Sequence, residues 1–139
     1  MKRLFSDKKP DVFTIGYSGR KISSLIRLLK DFNIEVVVDV RRFPTSKIDD
    51  YKRENLERIL SEAGFKYIWL GDKLGGYRRG GYASFMDSEE FVEGIERLIE
   101  IIKSNVTCIL CLEKKPKYCH RRFIARALEE MGFDVYHII

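Results

Sequence analysis

The sequence predicts an α/β fold: a single domain with a mostly parallel sheet of about five strands and helices on both faces. Three observations carry this expectation. Short runs of β-branched and aromatic residues alternate with helical periodicity along the 139 residues, the pattern of βαβ units. The run Val36-Val37-Val38 is apolar without alternation, which suits a strand covered on both faces. One helix-to-strand connection also occurs three times, at Asn33-Ile34, Gly64-Phe65 and Gly132-Phe133. In each, a helical pattern ends at Asn or Gly, residues that accept the left-handed conformation at a helix C-terminus. An apolar residue follows and can fold back on the last turn.

The elements follow in order. The first strand is expected at 12–15. The first helix, 22–32, places Leu25, Leu28, Leu29 and Phe32 on one face. A second strand covers 35–40. The next helix, 51–63, turns Leu56, Ile59 and Leu60 inward, and a third strand covers 67–70. The segment 71–86 holds five glycines and reads as a long irregular loop. Asp87 and Ser88 are cap candidates for a helix whose first-turn carboxylates, Glu89 and Glu90, suit its dipole. Phe91, Ile95, Leu98, Ile99 and Ile102 form its apolar face. A strand at 107–112, a helix at 121–131 and a strand at 135–138 complete the chain. Trp69 and His137 are read as packed strand residues. Residues 1–10 are read as a flexible N-terminus.

Composition sets the class. A hydrophobic fraction of 45% with 34% charged residues describes a globular chain rather than a disordered one. No apolar run is long enough to cross a bilayer, and the N-terminal stretch has no apolar segment of signal-peptide length. A cytoplasmic location without membrane contact is the expectation. The net charge of +5 is compatible with small anions or nucleic acid and establishes neither. Three cysteines, an odd number, argue against a secreted disulfide framework. Cys108, inside an apolar strand, is read as core.

The functional expectation rests on position. Each of the first four strands runs into a polar or glycine-rich turn. These are Gly16 to Arg20, Asp39 to Pro44, Gly71 to Gly76, and Cys111 to Arg122. Parallel strands bring all four turns to one sheet edge, where open α/β proteins bind ligands. Ser18 and the amides near it can meet an anion at the first helix, or Arg20 is only solvated. Asp39 and Arg41, two apart, share a strand face. Either they pair structurally, or Asp39 orients Arg41 toward a ligand anion. The loop 71–86, with Arg78 and Tyr82, reads as a lid over an anion, as a stacking surface for single strands, or as a loop packed by its own tyrosines.

The turn from Cys111 to Arg122 concentrates the chemistry. Cys119 precedes a helix and lies among cations, which favours its thiolate, and His120 is beside it. A nucleophile and a packed cysteine are the two readings. The phosphatase loop is excluded, because Arg must follow Cys by six, whereas Lys117 follows Cys111 and Ala125 follows Cys119. Two cysteines and a histidine are zinc donors, but the eight-residue step from Cys111 to Cys119 lacks the short zinc spacing, so no metal is expected. Glu113 is either a general acid or base, or the structural partner of Arg121.

Taken together, Thr14 to Ser18, Asp39-Val40-Arg41 with Phe43-Pro44, Leu70 to Gly76, Tyr82 to Phe85, Cys111-Leu112-Glu113 and Cys119-His120-Arg121 resemble the bacterial and archaeal family catalogued as domain of unknown function 488. The resemblance runs from Phe13 to the C-terminus. It implies a compact α/β domain with a pocket built from these motifs, and no settled activity. The chain departs from the family's pattern at Tyr17, where many members have His.

Three functions compete. The first is a binder of, or enzyme on, a small phosphate- or nucleotide-like anion, held by Arg41, Arg121 and Arg20 or Arg78. Cys119 or Glu113 would supply the chemistry and His120 would assist. The second is a nucleic-acid module using Tyr77, Arg78, Arg79, Tyr82 and the basic turn. The third is a redox protein using Cys111 and Cys119. No cofactor is expected.

Overall fold

The computed structural model describes residues 9–116 and 119–139. Most of the N-terminal stretch read as flexible lies outside the described residues. Five parallel strands form one sheet in the order β3-β2-β4-β1-β5. They are β1 (Val12–Gly16), β2 (Val36–Asp39), β3 (Lys66–Trp69), β4 (Thr107–Cys111) and β5 (Val135–Ile138). The principal helices are α1 (Ile22–Asp31), α2 (Arg53–Glu62), α5 (Glu89–Ser104) and α6 (Arg121–Glu130). Two short helices, α3 (Gly71–Leu74) and α4 (Tyr82–Phe85), fall inside the glycine-rich segment, where the sequence led to an irregular loop. No helix among the described residues is long and apolar enough to cross a membrane.

The side-chain alternation of the strands builds two cores. Phe13, Ile15, Val37, Cys108 and Leu110 face α1 and α2, packing on Leu25, Leu29, Leu56 and Leu60. Val12, Val36, Val38, Ile109 and Cys111 face α5 and α6, packing on Leu98, Ile102, Ile124 and Leu128. Strands β1, β2 and β4 are therefore covered on both faces, as the unalternated apolar runs require.

The three repeated connections have one geometry. Asn33, Gly64 and Gly132 all adopt positive φ, at 57°, 97° and 95°. The next amide then bonds back across the last turn, Ile34 to the Leu29 carbonyl, Phe65 to Leu60 and Phe133 to Leu128. This is the six-to-one bond of a Schellman end.

Strand order places the ligand edge. The helices after β1 and β2 lie on one face of the sheet, and the helix after β4 lies on the other. Because β4 sits between β1 and β2, the chain diverges on both of its sides. Such divergence opens a crevice beyond the carboxyl ends of the strands.

Candidate functional site

A cleft of about 290 Å³ lies at that edge, lined by Tyr17 after β1, Arg41 to Phe43 and Thr45 after β2, Gly76 and Tyr77 from the α3–α4 segment, and Cys111 to Glu113, Cys119 and His120 around β4. Register sets its floor. Gly16 stands opposite Cys111, and Asp39 opposite Leu110. Tyr17 and Ser18 continue the ladder past the strand end, donating to the Cys111 and Leu112 carbonyls at 3.0 and 2.9 Å. The turns after β1 and β4 touch so closely that a Cβ on Gly16 would stand 1.8 Å from the Glu113 carbonyl oxygen. Only glycine fits there.

Below the cleft, Asp39 is fully buried. Arg41 grips it with Nε at 2.9 Å and Nη2 at 2.7 Å, and spends Nη1 on the Tyr51 carbonyl at 2.7 Å. The Tyr67 hydroxyl donates to the same carboxylate at 2.6 Å. Burial opposes the charge on Arg41, but Asp39 outweighs it and the guanidinium stays charged with a raised pKa. Burial and the Asp39 carboxylate both raise the Tyr67 phenol. Trp69 is half-buried, and its Nε1 donates to the Arg41 carbonyl at 2.7 Å. It pins the turn rather than filling the core. Tyr17 stacks on Tyr51 at 4.2 Å between centroids and lies under the Arg41 guanidinium. The pair read from the sequence is thus a rigid wall that also faces the cleft.

At the cleft floor, His120 Nε2 lies 3.0 Å from the Val40 carbonyl. A carbonyl only accepts, so Nε2 carries the proton and Nδ1 faces the sulfurs, 3.8 Å from Cys111 Sγ and 4.0 Å from Cys119 Sγ. The three cysteines are in no disulfide. The neighbouring Cys111 thiol lowers the Cys119 pKa to about 4 despite burial, with His120 and the Arg121 amide adding to it. The same pairing, with burial, pushes the Cys111 thiol up. The pair is thus biased toward a thiolate on Cys119 rather than on Cys111.

The other expected site residues separate. Tyr82 backs His120 at 5.3 Å between rings and donates to the Leu74 carbonyl. Arg78 is folded into its own segment, donating to the Gly75 and Asp72 carbonyls. Arg20 donates to the Gly16 carbonyl and lines a separate cavity with Tyr51 at the start of α1. Ser18 does not line the cleft. Arg121 has no exposed surface. It bonds the Lys114 carbonyl at 2.9 Å, and its Nε and Nη1 have no partner among the described residues. Glu113 forms no ion pair with Arg121 and stands at the cleft instead. Lys117, part of the basic cluster, lies outside the described residues.

Arg42, Phe43 and Tyr77 form a lip; sequence reasoning placed Tyr77 only in the nucleic-acid alternative and gave Arg42 and Phe43 no role at the site. Arg42 donates to the Tyr77 carbonyl and lies over Phe43, and the Phe43 and Tyr77 rings are 6.2 Å apart. Tyr77 is 85% exposed and holds a φ of 60°, a conformation rare for non-glycine residues and common at functional sites. That dihedral leaves no trace in composition.

A family model described as domain of unknown function DUF488 matches residues 21–81 and 78–128, and the chain belongs to this family. No curated protein and no solved structure matches it.

Proposed function

We propose that this chain binds a small anionic ligand, phosphate- or nucleotide-like, in the cleft beyond β1, β2 and β4, and acts on it at the Cys111–Cys119–His120 floor. One observation carries the reading: groups from three strand ends and one helix start meet in a single cavity of about 290 Å³, the size of a small-molecule site rather than a macromolecular surface. Arg41 is neutralised by Asp39, so the anion is met chiefly by Arg42, with Thr45 and Arg41 beside it. Glu113 at the cleft and His120 on its floor are the acid–base groups within reach. The nucleic-acid alternative has less support, because Arg78 and Tyr82 are turned inward on their own segment.

Calorimetric titration with inorganic phosphate and with AMP tests this. Binding is expected, and Arg42→Ala should weaken it by about 10- to 100-fold, the loss of one charge-assisted contact. No binding of either probe at millimolar concentration overturns the reading. Tight binding of a single-stranded oligonucleotide, falling steeply with added salt, would replace it with the alternative.

A further inference from the structure

Cys111 Sγ, Cys119 Sγ and one ring nitrogen of His120 all lie within 4.8 Å of one another. We propose that these three side chains bind a zinc ion, with the fourth coordination position open to the cleft and taken by an anionic group of the ligand. The fourth position rests on the cleft reading above; the three protein donors do not.

The spacing fits a tetrahedron. With Zn–S about 2.3 Å and Zn–N about 2.0–2.1 Å, neighbouring donors of a tetrahedral site stand roughly 3.5–3.8 Å apart. The His120 Nδ1 to sulfur distances of 3.8 and 4.0 Å need only a few tenths of an ångström of closure, and the two sulfurs, within 4.8 Å of each other, need at most about 1 Å. The imidazole is also set as a metal ligand would be. Its Nε2–H is given to the Val40 carbonyl, which fixes the tautomer and aims the Nδ1 lone pair between the sulfurs. Two thiolates and an imidazole select zinc over oxygen-seeking magnesium or calcium.

Three protein donors with an open face are the pattern of catalytic zinc, not of closed structural zinc. Charge explains what would complete it. Zinc and two thiolates sum to zero, and the Asp39–Arg41 pair is neutral. Arg121, buried near the thiols with two nitrogens unpartnered among the described residues, together with Arg42 and Glu113 at the cleft, leaves the centre one positive charge. An anionic fourth ligand balances it. Coordination itself is a plain exchange: zinc replaces the thiol protons, which leave to solvent, and no electron moves.

The eight-residue step that spoke against a metal in the sequence is closed by the loop after β4. The Cys119 amide bonds the Pro116 carbonyl, and the Cys119 sulfur stands within 4.8 Å of the Cys111 sulfur.

The test uses the full chain, stripped with a chelator and reloaded. One zinc per chain by elemental analysis is expected, and cobalt substitution should give thiolate-to-cobalt charge transfer with intense tetrahedral bands. Cys119→Ser and His120→Gln should lose the zinc, and Glu113→Gln should keep it. No retained zinc, with both thiols alkylated equally fast in its presence and absence, overturns the proposal without needing any variant to fold. Loss of zinc in folded Glu113→Gln overturns the three-donor set. Inorganic phosphate separates the two readings. Zinc binding with neither phosphate nor AMP bound leaves the metal site and sinks the small-anion function. Phosphate binding to a chain that takes no zinc does the reverse.

Discussion

Asp39 accepts four hydrogen bonds, from the Arg41 amide, Nε and Nη2 and from Tyr67. Replacing it with Asn keeps the shape and removes the charge that Arg41 needs. An uncompensated buried guanidinium costs about 3–5 kcal/mol, so Asp39→Asn should unfold at markedly lower urea concentration, read by circular dichroism. The effect belongs to the fold and should appear with or without ligand. At the opposite edge of the sheet, His137 hydrogen-bonds the buried Thr14 hydroxyl, and burial with nearby Arg121 lowers its pKa below the ordinary 6.5. Below that value the unfolded chain takes up a proton that the folded chain does not. Stability should therefore fall as pH drops below about 6.5, and His137→Gln should flatten that part of a pH series of thermal melts. Both residues were visible in the sequence as a strand-end carboxylate and a strand histidine. Arg41 was visible as the partner of Asp39, but the cross-strand partners were not, because Tyr67 and Thr14 come from other strands, and single-chain periodicity carries no register between strands.

The elements were legible wherever the signal was local. The three helix ends carried their own marker, a left-handed residue followed by an apolar one, and all three close with the same back-bond. Gly64→Ala forces a Cβ into φ 97° and should cost about 1–2 kcal/mol. Ser88 caps α5 by accepting the Phe91 amide at 3.2 Å, so Ser88→Ala should cost about 0.5–2 kcal/mol. Paired denaturant melts check both, and neither change should alter ligand binding. The helices α3 and α4 escaped because each is four residues long and flanked by glycine, too short for periodicity to register. They are held by tertiary contacts instead: Leu74 packs in the core, and Tyr82 ties α4 to α3 through the Leu74 carbonyl. The segment read from sequence as a lid or stacking strip is thus partly the back wall of the His120 pocket.

On the scale of the whole molecule, the cleft floor belongs to the central strand of the sheet. Strand β4 has a neighbour on each side and a helical layer on each face. Its amides should exchange only through global opening, while those of the turn from Arg42 to Tyr51 exchange by local fraying. Hydrogen-exchange mass spectrometry checks this as a protection difference of orders of magnitude between 107–111 and 42–48. The convergence of four strand-end turns was foreseeable from alternation alone, because parallel strands must send them to one edge. Arg41, Glu113, Cys119 and His120 were named there from the sequence and line the cleft; the closeness of the two sulfurs and the imidazole was not foreseeable, since the connection after β4 has no sequence period. The lip of Arg42, Phe43 and Tyr77 rides on connecting segments, whereas Cys111 ends the central strand and Cys119 and His120 are buried or half-buried against its end. Substitutions at the lip can retune which molecules are admitted at little thermodynamic penalty, while those at the strand end strike reactivity and folding together. Kindred chains should consequently diverge in appetite long before they diverge in chemistry.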